Sequence, residues 1–277
     1  MATIFTFPGK IGDALLQWPV AYQYAKQKGQ KITCWLDAGT LKPIERLLAS
    51  QDVVECVELK PGIQNYTCGG QPWDFGLKTE DFLGHSIYHL GFHAFPERQI
   101  TLQSVLSSGV QIDLEPLGQE PSIIVPPLDN APAMRYVVVH GTFQSHMTGV
   151  PRFWSFFRDV HKDLEEHFDK IIFSGTPEER QRARELYPDV RYGDFDDGGD
   201  FLELARLMAG ASLVLGSGSS GVVLGGCLKI PTVRVHDPLG DAPKVIWSNL
   251  GPKQWNEPEI SLRRLWPNIL KEVTGGA

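Results

Sequence analysis

The residues between Ala211 and Gly226 decide the fold: Leu213-Val214-Leu215, then Gly216-Ser217-Gly218-Ser219-Ser220-Gly221, then Val222-Val223-Leu224. An apolar run, a glycine–serine turn and a second apolar run read as a buried strand, a tight connection and the first turn of a helix. Glycine removes the β-carbon that would hold a ligand away from the backbone. A helix start leaves N–H groups without intrahelical partners. Together with the positive end of the helix dipole they favour an anion, most often phosphate. The same residues also fit a plain strand-to-helix connection, and both readings stand at this stage.

The rest of the second half has matching strand ends. Residues 136–139 form a continuous apolar run, typical of a central parallel strand, that ends in His140-Gly141-Thr142. A loop carrying Arg152 leads to a helix ending near His167, and residues 170–173 form the next strand. In Ser174-Gly175-Thr176-Pro177-Glu178 a turn opens a helix that runs to Leu186, with Pro177 at a favoured first position. A short strand over 190–192, a helix over 201–208, a strand over 231–235 and a last helix over 263–273 complete the half. His140, Ser174 and Gly216 each close a strand, and ligands of parallel α/β sheets bind outside such carboxyl ends.

The first half opens with an alternating strand over 3–7, closed by Pro8-Gly9. Ile11-Gly12-Asp13 starts a helical pattern to about Lys28, with Leu15, Leu16, Val20 and Tyr24 as its buried stripe. Pro19 is expected to kink or shorten that helix, and Gly29 to stop it. Strands are expected over 31–36 and 53–59, with a helix over 44–49 between them. Residues 60–99 read as loops with short helices. On a continuous helix there, His85, His89 and His93 would share a face, but Gly84 and Gly91 break it and no acidic ligand keeps step, so no metal is expected. A helix over 99–110 precedes the prolines from Pro116 to Pro132, which set the domain boundary: residues 1–132 and 133–277. The fold class is α/β, two Rossmann-like units with parallel sheets.

With 42% hydrophobic and 21% charged residues, the 277-residue chain has the composition of a globular protein with a sizeable core. A formal charge of −7 argues against nucleic acid or an anionic membrane as the main partner. Cys34, Cys56, Cys68 and Cys227 form no Cys-x-x-Cys pair and read as reduced thiols. No signal peptide or membrane span is expected, so the expected location is cytoplasmic, with at most peripheral membrane contact.

Ile11-Gly12-Asp13-Ala14-Leu15-Leu16 followed by Pro19 resembles the N-terminal signature of glycosyltransferase family 9, the ADP-heptose:lipopolysaccharide heptosyltransferases. The order of the second half is similar too: a strand into His140-Gly141-Thr142, the basic-x-Trp of Arg152-Phe153-Trp154, and the acid-bearing turn from Gly175 to Glu178. The resemblance implies a GT-B fold with the active site in a cleft and a last helix that returns to the first domain. It implies an inverting transfer of a sugar, with heptose as the candidate, from a nucleoside-diphosphate donor to a saccharide or glycolipid, without metal or other cofactor. Asp13 would be the general base and Arg152 would neutralise the diphosphate. Lys10, Gly12, His140, Gly141 and Thr142 are candidates for the donor site. So are Gly175, Thr176, Glu178 and the turn residues Ser217, Gly218, Ser219, Ser220 and Gly221. Read from residues alone, Asp13 is sooner a helix cap than a base, and Arg152 sooner a solvated surface cation than a phosphate ligand.

The family's Asp-Ser/Thr-Gly turn appears here as Gly218-Ser219-Ser220, with Val223 where the family has a His. That difference motivates a second hypothesis, a non-catalytic nucleotide or nucleotide-sugar binding protein. Two other motifs carry weaker readings. Gly216-x-Gly218-x-x-Gly221 with Asp237 fits a dinucleotide fingerprint, but the 40 residues after Asp237 read as loop plus one helix, too little for an NAD-dependent fold. Asp194-Phe195-Asp196 with Asp197 and Asp200 could hold a divalent metal, but its glycines suggest a solvated acidic loop.

Overall fold

The structure, a computed structural model, describes residues 2–7, 9–61, 78–82, 85–89, 120–128, 134–141, 149–195, 199–236 and 253–275. Two sheets organise them. The first has the order β3-β2-β1-β5-β4, from β1 (Thr3–Thr6), β2 (Ile32–Asp37), β3 (Val54–Lys60), β4 (Lys78–Phe82) and β5 (His85–His89). Its strands are parallel except β4, which runs antiparallel to β5 at the edge. The second sheet is parallel throughout, in the order β11-β10-β9-β6-β7-β8. Its strands are β6 (Tyr136–His140), β7 (Lys170–Phe173), β8 (Tyr192–Asp194), β9 (Leu213–Ser217), β10 (Thr232–His236) and β11 (Gln254–Pro258).

Seven α-helices lie among the described residues: α1 (Ile11–Lys28), α2 (Glu45–Ala49), α3 (Gly149–His167), α4 (Pro177–Leu186), α5 (Phe201–Ala209), α6 (Ser220–Cys227) and α7 (Glu259–Thr274). The apolar runs of the second half follow from burial on both faces. Val137 and Val139 of β6 and Leu213 and Leu215 of β9 pack under α3 and α7, with Phe153, Phe156, Phe157 and Trp266. Their neighbours Val138 and Val214 face the opposite layer, with Val222 and Leu224 of α6. That layer continues through Phe5, Phe7, Leu15 and Trp18 into the first sheet, so the two halves share one apolar core across α1 and α6.

Residues 120–128 seal the junction. Trp18 Nε1 donates to the Ser122 carbonyl at 2.6 Å, and the Ser122 and Ile123 amides both reach the Cys227 carbonyl. Arg46 of α2 pairs with Asp200 and, at 3.9 Å, with Glu203, at the start of α5.

Pro19 does not shorten α1, which runs as one helix from Ile11 to a left-handed cap at Gly29 (φ 61°). Proline leaves the carbonyl four residues back without its helical donor. That carbonyl belongs to Leu15, and the buried Cys227 thiol of α6 donates to it at 3.3 Å. Burial pushes the Cys227 thiol up to about 12, so it stays protonated as a donor. Cys227→Ala is expected to lower unfolding stability by ~1 kcal/mol, the usual worth of such a bond. In a Pro19→Ala background, where Leu15 regains a backbone donor, the same change is expected to cost less. Urea titration of the four proteins measures the difference.

Several expectations need correction. The described part of 60–99 holds strands: His85 and His89 bound β5 beside β1, so the shared helical face does not exist, and His93 lies outside the described residues. The short strand expected over 190–192 is β8, Tyr192–Asp194. The stretch read as a loop before the last helix contains β11, which pairs with β10 along its whole length. The last helix begins at Glu259 and packs on α3 within the second half, where Trp266 Nε1 donates to Asp163. The helix expected over 99–110 and the boundary at 132/133 lie outside the described residues.

Candidate active site

Asp13 is the third residue of α1, and its Oδ2 accepts the Lys10 backbone N–H at 2.8 Å. The carboxylate therefore caps the helix. Gly9 makes room for it: its φ is +102°, and a β-carbon there would stand 2.6 Å from Asp13 Cβ. A capping bond and a helix N-terminus both favour the ionised form. Here burial outweighs them, and the Asp13 carboxyl is raised above its ordinary value. A carboxylate kept partly from water is a better proton acceptor than an ordinary surface aspartate.

The residue just before it brings in the second half. A β-carbon added to Gly12 would lie 3.7 Å from Ser220 Cα, so the first turn of α1 abuts the first turn of α6. Two positive helix ends thus meet, one carrying a carboxylate and the other preceded by the glycine–serine turn. Ser219 precedes α6 in extended conformation, but its hydroxyl does not cap the helix. The Ser217 and Ser219 Oγ atoms are buried with no hydrogen-bond partner among the described residues.

The glycines of the turn are fixed by close contacts. A β-carbon at Gly216 would stand 2.4 Å from the His140 carbonyl oxygen, one at Gly218 2.7 Å from Arg234 Nη2, and one at Gly221 2.5 Å from the His140 ring. The Gly-x-Gly-x-x-Gly spacing is therefore explained without a dinucleotide. His140 Nδ1 bonds the buried Ser174 hydroxyl at 2.9 Å. Arg234, only 5% exposed, donates through Nη1 to Asn256 Oδ1 at 3.0 Å. Strand register sets His140, Gly216, Arg234 and Asn256 in one row across β6, β9, β10 and β11, at the carboxyl ends of the strands.

The site residues expected from sequence fall into two groups by contact. Gly12 meets Ser220 at the helix starts, with Asp13 next along α1 packed on Gly9, while Gly218 and Gly221 lie on Arg234 and His140. Lys10 is exposed beside Asp13, and Gly141 is buried, with no room for a β-carbon against the Phe153 and Trp154 rings. Arg152 sits in the first turn of α3 rather than on a loop. Thr176 is the cap of α4: its Oγ1 accepts from the Glu179 amide at 3.2 Å, and Glu179 Oε2 accepts from the Thr176 amide at 3.0 Å. Gly175 makes that turn with φ +155°, and Glu178 is exposed on the first turn of α4. Thr142 lies outside the described residues, as do Asp196, Asp197 and Asp237. Asp200 caps α5 by accepting from the Leu202 amide at 2.8 Å and pairs with Arg46, so it serves the helix start. Sequence reasoning missed Arg234 and Asn256. In Thr232-Val233-Arg234-Val235-His236 polar and apolar residues alternate as in a strand with one solvated face, so Arg234 reads from sequence as an outward-facing cation.

Two Rossmann-like sheets joined through a helix layer, with polar groups gathered at strand ends and helix starts, define the GT-B class of α/β fold. Within that class the fold is heptosyltransferase-like. The chain is similar to the E. coli heptosyltransferase WaaC with ADP, at 14% identity over 97% of this chain and 100% of that one, with a TM-score of 0.64. It is similar to E. coli ADP-heptose LPS heptosyltransferase II at 9% identity, over 98% and 99% of the two chains, with a TM-score of 0.64. A glycosyltransferase family 9 structure from Veillonella parvula matches at 11% identity, over 98% and 89%, with a TM-score of 0.63. No family model and no curated protein matches the chain. No helix among the described residues is long and apolar enough to cross a membrane.

Proposed function

We propose that the protein is an inverting glycosyltransferase that moves a sugar from a nucleoside-diphosphate donor to a saccharide or glycolipid hydroxyl. The observation that supports this reading is the abutment of Gly12 on Ser220: the start of α1, which carries the half-buried Asp13 with its raised carboxyl, meets the start of α6, which follows the glycine–serine turn. In the proposed step Asp13 takes the acceptor hydroxyl's proton as that oxygen attacks the anomeric carbon. The bond from that carbon to the diphosphate breaks, and the leaving oxygen keeps the electron pair. Negative charge then develops where the turn amides and the start of α6 offer donors. The reaction calls on the chain's own groups for this stabilisation. The heptosyltransferase-like fold makes ADP-heptose the first donor to try.

A thermal-shift series with ADP, UDP, GDP and CDP tests the binding half, because a ligand selective for the folded state raises Tm by mass action. One nucleoside diphosphate is expected to raise Tm well above the others, and no shift with any of them would contradict the proposal. Incubation of the matching nucleotide sugars is then expected to release the diphosphate. Tight binding without release would favour a binding protein, the reading motivated by Gly218-Ser219-Ser220 and Val223.

A further inference from the structure

We infer that Arg234 is the fixed cation of the donor's diphosphate site, acting from beneath the Ser217–Gly221 turn; this rests on the nucleoside-diphosphate reading above. Arginine is seldom buried in a sheet without a specific use, because removing its charge from water is costly. The alternation of β10 explains its direction. Val233 and Val235 enter the core under α3 and α7, whereas Thr232 and Arg234 face the α6 layer, where Thr232 Oγ1 lies 2.9 Å from a β-carbon placed on Gly225. Arg234 Nη2 likewise lies 2.7 Å from a β-carbon placed on Gly218, so the guanidinium is pressed against the turn itself. Asn256 Oδ1 accepts from Nη1 and fixes the plane of the fork.

A second feature of the same place points to a ligand. Ser217 is 1% exposed, and its Oγ has no hydrogen-bond partner among the described residues; the same holds for Ser219 Oγ and for Asn256 Nδ2. Buried polar groups in native proteins are nearly always paired, so two unmade hydroxyl bonds on the turn, with a third unmade bond on the residue that holds Arg234, call for an acceptor-rich partner. Diphosphate oxygens would accept from the hydroxyls, the amide and the start of α6. A guanidinium held under the turn would add charge that a rim residue exposed to solvent cannot match, since water and salt screen the latter.

The inference is tested by calorimetry on the full chain with the nucleoside diphosphate that gives the largest thermal shift, its parent nucleoside, and inorganic pyrophosphate. Arg234→Met is close in length and apolar, but it leaves the buried Asn256 Oδ1 without its donor, so its Tm is expected to fall and folding is checked first. It is expected to bind the diphosphate about 10- to 100-fold more weakly, the worth of a charge-assisted bond, and the nucleoside as tightly as wild type. If Arg234→Met does not fold, Arg234→Lys keeps the charge but loses the fork, and about tenfold weaker binding is expected. Wild-type diphosphate affinity in the variant would overturn the role of Arg234 while leaving the proposed function intact. Wild-type protein that binds pyrophosphate in an Arg234-dependent way, but no nucleoside diphosphate, would uphold the cation site and remove the nucleotide reading. Failure to bind any of the three ligands would remove both.

Discussion

Asp13→Asn is expected to slow sugar transfer by about 10³-fold, within the range removed when a positioned general base is lost. Affinity for the nucleoside diphosphate is expected to stay near wild type, because Asp13 accepts a bond from Lys10 and contributes no donor to phosphate. Asparagine can still accept that bond through its side-chain oxygen, so the helix start survives. The substitution separates chemistry from folding through its pH dependence. Burial raises the Asp13 carboxyl in the folded chain, so the unfolded chain releases this proton at lower pH than the folded one. Below the unfolded value, near 3.8, the group is protonated in both states and its burial carries no charge penalty. As pH rises through the higher folded value, the wild type loses stability that Asp13→Asn keeps. The variant's Tm is therefore expected to match wild type at pH ~3.5 and to exceed it at pH ~7. The acid limb of wild-type kcat should fall above the usual aspartate range. A variant that retains full turnover, or that loses stability at neutral pH, would remove Asp13 from this role.

Gly216→Ala is expected to lower stability by about 3 kcal/mol, the upper end of ordinary overpacking. The added carbon would meet the His140 carbonyl oxygen at 2.4 Å and Val222 Cγ2 at 2.6 Å. One obstacle is the backbone of a paired central strand and the other a buried side chain, so neither gives way cheaply. For a chain of this size that corresponds to a fall in Tm of roughly 6 to 12 °C. Gly12→Ala is the control, because its nearest contact would be 3.7 Å, an ordinary van der Waals distance. Scanning calorimetry on the two variants reads both results. Equal Tm values would show that the turn is not packed on β6 as described.

The parts of the fold legible in the sequence were those fixed by local periodicity. The apolar run of β6 and the strand–turn–helix of β9 and α6 needed only strong patterning and glycine punctuation. β4, β5 and β11 were not legible. The residues of β5 include His85 and His89, and those of β11 include Gln254, Asn256 and Glu257, so neither presents the apolar run of a central strand. Their pairing with β1 and β10 is a tertiary fact. Pro19 misled for a similar reason. The local rule predicts a kinked or shortened helix; the shortening does not occur, and the donor that compensates for Pro19 comes from Cys227, distant in sequence but adjacent in space.

The candidate site divides in the same way. Asp13 could be named because it lies in a short stretch that resembles a family signature, and the turn because glycine spacing leaves a local mark. Their proximity depends on how α1 meets α6, and nothing in either stretch specifies that contact. Thr176 illustrates the converse. A hydroxyl in a turn at a strand end looked available to a ligand, while its partner Glu179, three residues on, marks a capping box. Arg234 was overlooked because it reads as the outward-facing cation of an alternating strand, and its meaning emerged only from Gly218 lying against it.

Amide hydrogen exchange on the wild-type protein, with and without the nucleoside diphosphate that raises Tm most, tests whether the two helix starts form one site. Slowed exchange is expected both at the β9–α6 turn, residues 217–222, and at the start of α1, residues 10–14. Protection confined to one of these segments, or falling on neither, would contradict a shared site.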